Sequence, residues 1–249
     1  MLEVHQLVKD YRNFRAVDNL SFNINPGEVV GLLGPNGAGK TSALRCIAGI
    51  LRPTSGHIRI DGFDVLTDQA RAKARLAFVP ELPSLYELLT VSEHLRFVAM
   101  CFNSLDIFNK RQDEFLERYH LMDKKNELVA TLSKGMKQKL AIACAFMHET
   151  TTMLLDEPLI GIDPAGVHEI KQEIIRAKNA GCAILVSTHL LDTAEKVCDR
   201  TLILARGKLI AEGTLAELQE RSNMQGESLE DVFLKLTDES NQAASLPNS

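Results

Sequence analysis

"EVVGLLGPNGAGKTSALRCIAGI", residues 28–50, decides the fold. Residues 28–34 form a short apolar run ending in glycine, which reads as a buried strand. Residues 40–50 read as a helix, and "GPNGAGKT" (34–41) between them matches G-x-x-x-x-G-K-[ST] at every fixed position. Strand, glycine-rich loop and helix are the context this motif requires. Gly34, Gly37 and Gly39 allow backbone conformations that aim N–H groups inward. Those donors, the helix N-terminus and Lys40 can hold a polyphosphate, and Thr41 offers a hydroxyl to Mg²⁺. A glycine-rich turn without a ligand is the plainer alternative, and the complete match in context outweighs it.

Outward from this stretch, "GHIRIDG" (56–62) alternates apolar and polar residues like an antiparallel strand, and "RLAFVP" (75–80) is a short strand stopped by Pro80. Residues 84–149 change character. "TVSEHLRFVAM" opens with a capping pattern, "DIFNKRQDEFLERYHL" has apolar residues at 107, 108, 115, 116 and 119, and 134–149 follows at helical spacing. Strand-like runs return at 151–156 and 182–189, bracketing a helix that begins near Pro164. "RTLILARGKLIAEG" (200–213) reads as a hairpin, and "TLAELQER" and "SLEDVFLKL" as short helices. Residues 237–249 have little to bury and are expected to be disordered. Strands alternating with helices imply an α/β protein with a mainly parallel sheet, whose ligands bind at the carboxyl ends of the strands.

The second chemical element is "MLLDEP" (153–158). A buried strand delivers Asp156 at its end, where it can accept from a Mg²⁺-bound water. Glu157 belongs to the following turn, because adjacent strand residues face opposite sides. A carboxylate there could polarise an attacking water; a solvated turn glutamate is the alternative. The third element is "LSKGMKQKL" (132–140). Ser133 is a good N-cap, yet Lys134, Lys137 and Lys139 crowd the helix end that disfavours cations by roughly 0.3–1 kcal/mol each when exposed. An anion near this end would account for Lys134, while Lys137 and Lys139 read as solvated.

Composition excludes several classes. The 249 residues carry 28 basic and 33 acidic side chains, a net charge of −5, with no long basic tract, so no nucleic-acid partner is expected. The longest apolar run, Leu140–Met147, is far short of the ~20 residues that span a bilayer. No secretory leader is evident in "MLEVHQLVKDY". The five Cys, at 46, 101, 144, 182 and 198, show no CxxC and read as reduced core thiols of a cytosolic protein.

Taken in order, "GPNGAGKT", "LSKGMKQ", "LLDEP", "GIDP" and "STH" resemble the ATP-binding subunits of ABC transporters over about residues 1–236. The resemblance implies a P-loop NTPase (RecA-like) core over 1–83 and 150–213, with an N-terminal antiparallel β subdomain. It also implies an inserted helical subdomain over 84–149 and short C-terminal helices over 214–236. The implied ligands are ATP and Mg²⁺. Tyr11 resembles the aromatic that stacks on adenine. Gly34, Pro35, Asn36, Gly37, Ala38, Gly39, Lys40, Thr41 and Ser42 cradle the phosphates. Asp156 and Thr41 support the metal, Glu157 is the catalytic base and His189 the switch histidine at the γ-phosphate. Ser133 and Gly135 contact the nucleotide of an opposing subunit, and Asp163 couples the two sites. Read without the family, Tyr11 could be surface packing, His189 a core histidine and Asp163 a helix cap.

Two residues depart from the family pattern. Glu81, in "FVPELP", replaces a glutamine that contacts Mg²⁺, and Lys134 replaces a glycine. With "GIDP" and the tail "GTLAELQE…SLEDVFLKL", they resemble the exporter-type subgroup, which pairs with separate permeases. The implied partners are therefore a transmembrane permease and a second ATPase chain, as homodimer or heterodimer, at the cytoplasmic face of the membrane. A soluble ABC protein of ribosomes or DNA would carry two cassettes or a long coiled coil; here only about 90 residues separate Thr41 from Leu132. A non-hydrolysing regulator would not need Glu157, nor a small-molecule kinase "LSKGM".

Overall fold

The computed structural model describes residues 1–245, with side chains through Ser240. The chain begins with a long hairpin, β1 (Leu2–Tyr11) and β2 (Phe14–Ile24), which the sequence pattern did not disclose. Its alternation is broken by register shifts after Val4, Leu7 and Lys9 and by positive φ at Gln6 and Asn19, so a period of two persists only over residues 20–24 of β2. β3 (Val29–Leu33) is buried along its whole length and feeds the phosphate loop and α1 (Lys40–Ile47). β4 (Ser55–Ile60), β5 (Phe63–Asp64), α2 (Gln69–Lys73) and β6 (Leu76–Val79) follow.

The inserted block contains α3 (Val91–Cys101), α4 (Leu105–Arg118) and α5 (Lys134–Met147). Thr90 and Glu93 form a reciprocal capping box at α3, as the sequence pattern predicts. Phe108, Phe115, Leu116 and Tyr119 turn inward against α3 and α5. The chain then returns to the core through β7 (Thr152–Asp156), α6 (Pro164–Asn179), β8 (Ala183–Ser187) and α7 (Leu191–Val197). It closes with the hairpin β9 (Arg200–Ala205) and β10 (Lys208–Gly213), then α8 (Leu215–Ser222) and α9 (Leu229–Ser245).

Two sheets result. The first is a four-stranded sheet in the order β2-β1-β4-β5 with antiparallel pairing throughout. The second is a six-stranded sheet in the order β10-β9-β3-β8-β7-β6, parallel except at β10. The fold is α/β, with a mainly parallel sheet carrying helical parts. Three buried clusters hold the described residues together, one of them packing α7, α8 and α9 on Leu33, Ile203 and Ala211. The other two lie on the two faces of the parallel sheet. One is shared by β1, β2, α1 and one face of the parallel sheet, the other by the opposite face and the helical block. Among the described residues, no helix is long and apolar enough to cross a membrane.

Three expectations are corrected. Residues 237–245 are not disordered but continue α9, because Leu229, Val232 and Leu236 form one buried stripe and the Thr237 hydroxyl donates to the Phe233 carbonyl. The rest of that tail, 246–249, lies outside the described residues. Cys101 is exposed rather than in the core, whereas Cys46, Cys144 and Cys182 are buried, with burial pushing the Cys144 thiol up to about 12. Lys137 and Lys139 are not free in solvent. Lys137 pairs with Glu87 at 2.6 Å, and Lys139 is buried and pairs with Asp163.

His94 is buried in α3, with Nδ1 3.7 Å from the Cys144 sulfur, and burial holds its pKa below the ordinary histidine value. Above about pH 6.5 both the folded and unfolded states keep this ring neutral; below it the unfolded chain binds a proton that the fold resists. Stability should therefore fall on acidification from pH 6.5, by at most about 1.4 kcal/mol per pH unit for this group. Urea midpoints measured at pH 7.5 and 5.5 test this. His94→Leu should show a smaller drop between the two.

Candidate nucleotide and metal site

The carboxyl ends of β3, β7 and β8 lie side by side, because all three strands run parallel in register. A cavity of about 250 Å³ opens there, lined by Asn36, Gly37, Ala38, Gly39, Lys40, Thr41 and Ser42 together with Glu81, Asp156 and Glu157. Gly39 has φ +102°, and a Cβ on it would sit 2.2 Å from the Ala16 carbonyl oxygen. No other residue type leaves this loop where it is. The Lys40 ammonium folds back on its own loop, donating to the carbonyls of Gly34 at 2.6 Å and Pro35 at 3.3 Å. Burial lowers its pKa, while Glu157, Asp156 and Glu81 act against that shift. Facing carboxylates thus help to keep a buried cation charged.

Asp156 ends β7 opposite Ser187, whose hydroxyl donates to its Oδ1 at 2.5 Å. Ser187 was not singled out from the sequence; "STH" drew attention to its histidine, while the serine only gains meaning from the β7–β8 register. Glu157 adopts φ +48°, a costly region for a side-chain-bearing residue. Its backbone N–H donates to the Ser187 carbonyl at 3.1 Å and lies 3.2 Å from the Ser187 hydroxyl oxygen, which holds the turn in place. Its carboxylate accepts from the His189 backbone N–H at 3.3 Å and lies 2.9 Å from His189 Nδ1. The two acids are thus separated in role by geometry. Asp156 is fixed by a serine in the sheet, and Glu157 is aimed from a strained turn at a half-exposed histidine. His189 also shares a second cavity with Gly34, Pro35 and Asn36 on the other side of the phosphate loop.

Not every expected residue enters this site. Tyr11 pairs across the β1–β2 hairpin with Phe14, lies under Lys9 at 5.0 Å and brings its hydroxyl within 3.4 Å of Ser42 Oγ. Phe14, not Tyr11, lines the cavity. Ser133 caps α5 by accepting from the Met136 N–H at 3.3 Å, which leaves its hydroxyl hydrogen free to donate elsewhere. Ser133 and Lys134 are exposed, and neither Ser133 nor Gly135 lines either cavity beside the phosphate loop. Gly135 has a reason within the chain: a Cβ there would sit 2.6 Å from the Gly161 carbonyl oxygen. Asp163 caps α6, accepting from the Gly166 N–H at 3.4 Å. A hydrogen bond from Lys139 holds its carboxyl below the usual aspartate range.

The geometry is that of a phosphate-loop nucleotide site, and comparison with known proteins makes the class specific. Residues 17–160 match the family model described as ABC transporter. The chain is 38% identical over 240 residues to the ABC-type transporter ATP-binding protein EcsA of Bacillus subtilis, spanning 96% of this chain and 97% of that protein. It is 34% identical to the SkfA peptide export ATP-binding protein SkfE of the same organism, spanning 91% and 95% of the two chains. A solved ATP-binding subunit of an ABC transporter superposes with a TM-score of 0.92 at 36% identity, covering 95% of this chain and 99% of that one. The cassette MJ0796, solved as a dimer in a post-hydrolysis state with ADP and Pi, superposes with a TM-score of 0.79 at 27% identity, covering 86% and 99%. The chain belongs to the ABC transporter family. Within it, the chain is an ATP-binding subunit and an ATPase.

The residues present fit a nucleoside polyphosphate. With no side chain at Gly39 the loop packs directly on the Ala16 carbonyl, and Lys40 can exchange its two loop carbonyls for phosphate oxygens. Among the described residues, no group of three His, Cys, Asp or Glu could by itself hold a metal ion. An ion here must take most of its ligands from phosphate and water, as Mg²⁺ does in phosphoryl-transfer sites.

Ser187→Ala should leave the fold intact, release the Asp156 carboxylate from its hydroxyl donor and lower ATP turnover about tenfold, the size of one hydrogen bond to a charged group. Steady-state phosphate release at saturating ATP measures it. Turnover equal to the parent chain would remove Ser187 from this role.

Proposed function

We propose that the chain powers transport through a separate membrane permease, and that two ATPase chains close on ATP between them. The observation that carries the reading is the placement of α5. Its N-terminus presents Ser133 with a free hydroxyl hydrogen, a helix dipole and Lys134 to solvent, away from the chain's own phosphate loop. A helix end suited to an anion and turned away from the chain's own phosphate loop fits the γ-phosphate held by a second chain. The second chain is either a copy or a homologue, and the dimeric MJ0796 cassette supports such pairing.

In this reading the loop from Gly34 to Ser42 and the α1 N-terminus bind the phosphates. Thr41, Asp156 and Glu81 would hold Mg²⁺, which would supply charge neutralisation at the phosphate oxygens. Glu157 accepts the proton of the attacking water, and His189, hydrogen-bonded to that carboxylate, orients it and reaches the γ-phosphate. An aromatic of the β1–β2 turn, Tyr11 or its cross-strand neighbour Phe14, stacks on the base. Asp163 couples the two sites.

The permease docks on the first part of the helical block. Leu82, Tyr86, Leu88 and Met100 are all exposed there, an apolar density unusual for solvent. That seat would place the chain at the cytoplasmic face of the membrane, held peripherally through the permease. Export is the direction favoured by the resemblance of the C-terminal segment and by the peptide-export name of SkfE.

Glu157→Gln should leave ATP binding intact, lower turnover by about 10²–10⁴-fold and trap an ATP-bound dimer visible by light scattering. Lys40→Ala should lose nucleotide binding or hydrolysis. Wild-type turnover in Glu157→Gln would assign the base elsewhere. Glu81 adds a third carboxylate to the cavity. Glu81→Gln should therefore shift the Mg²⁺ concentration needed for half-maximal turnover and the acid limb of the pH profile. An unchanged Mg²⁺ titration and pH profile would show that the carboxylate is unimportant.

A further inference from the structure

Lys139 is out of place for a lysine. It lies in the second turn of α5, is 8% exposed, and runs its stem across Gly166, where a Cβ would meet its Cε at 2.6 Å. Its ammonium pairs with Asp163 Oδ1, while Asp163 Oδ2 caps α6. Six residues upstream on the same helix, Ser133 forms the exposed cap; six residues before Asp163, Glu157 opens the strained turn. Between them Gly135 packs on the Gly161 carbonyl with no room for a side chain. The turn 157–163 is short and braced by its own hydrogen bonds, Ile160 N–H to Glu157 and Ile162 N–H to Leu159, each 3.4 Å.

We propose that Lys139 is a positioning residue. Through Asp163 it ties the start of α5 to the turn 157–163, so that Ser133 and Glu157 are carried as one body when two chains close on ATP. The pair joins a buried ammonium to a half-exposed carboxylate, a poor device for stability, because solvent screens the attraction while the ammonium loses its hydration. What it supplies is a fixed geometry that an apolar pair would not enforce. The pairing also divides the Asp163 carboxylate, with one oxygen for the cap and one for the latch. Asp163 can thus face a second chain only from a position set by α5. This inference rests on the ATP-sandwich reading above.

The test uses the full chain carrying Glu157→Gln, with ATP-dependent dimerisation followed by sedimentation. Lys139→Met, similar in length and uncharged, should raise the chain concentration needed for dimerisation about tenfold, with monomer affinity for a fluorescent ATP analogue unchanged within about twofold. Lys139→Arg should restore dimerisation to within about twofold of the parent. Combining Lys139→Met with Asp163→Asn should be no worse than the more severe single change, because both break one interaction. In the chain with Glu157 intact, Lys139→Met should lower kcat with KM for ATP unchanged.

Dimerisation of Lys139→Met equal to the parent, additive losses in the double variant, or failure of arginine to rescue would each overturn the latch. If Lys139→Met does not fold, as judged by circular dichroism, Asp163→Asn carries the test, because asparagine keeps the helix cap. Parent-like dimerisation of that variant would overturn the proposal. A Glu157→Gln chain that stays monomeric with ATP would overturn the sandwich and the latch together; a chain that dimerises regardless of Lys139 would overturn the latch alone.

Discussion

The register of β7 against β8 places Asp156 directly beside Ser187, and the site depends on that pairing. Once β3, β8 and β7 run parallel, their carboxyl ends share one edge, and the groups that follow them must be polar and locally satisfied. The phosphate loop follows β3, the strained Glu157 turn follows β7 and His189 follows β8. Ser187 serves both acids: its hydroxyl donates to the Asp156 carboxylate, and its carbonyl receives the Glu157 N–H. A slip of one residue would turn Asp156 to the other face of the sheet and dissolve the arrangement.

The rest of the molecule attaches a second body to this edge. The helical block shares a buried apolar cluster with one face of the parallel sheet and with Ile170 and Ile174 of α6, and a few polar links flank it. Lys139 reaches Asp163 near the nucleotide edge, and Arg118 reaches Glu173 farther along α6. Between α4, α6 and the amino ends of β7 and β8 lies a cavity of about 400 Å³, at the end of the sheet away from the phosphate loop. Its charged walls satisfy one another, Arg111 with Glu149 and both Arg118 and Arg176 with Glu173. At this end the two bodies meet through ion pairs around a void, beside the apolar seam they share. The tight contact is at the other end, where Gly135 meets Gly161.

Legibility in the sequence followed the range of the interaction. The phosphate loop was readable because glycine spacing, lysine and threonine act within one turn of chain. The Thr90 capping box and the Asp163 cap were readable for the same reason, since each bonds three residues away. The β1–β2 hairpin was not read from its pattern, because bulges break the alternation along β1 and leave it intact only over residues 20–24 of β2. The burial of Lys139 was invisible, since its partner lies 24 residues away in sequence and its channel exists only because Gly166 has no side chain. The continuation of α9 past Leu236 was missed because its polar residues ride on a helix anchored by an earlier apolar stripe.

By itself, then, the sequence determined the chemistry: a loop for polyphosphate, an acid at a strand end, a second acid in the turn after it and a capped helix whose cations sit at the wrong end. These are local patterns, set by backbone conformation and residue type over fewer than about ten residues. Only the tertiary structure decided which of them meet. It joined Glu157 to His189 and Asp156 to Ser187, put Phe14 rather than Tyr11 in the cavity wall, and turned Lys139 from a solvated charge into a buried link. The physical reason is that hydrogen bonds and ion pairs act at about 3 Å, and strand register, not sequence spacing, sets which groups come that close.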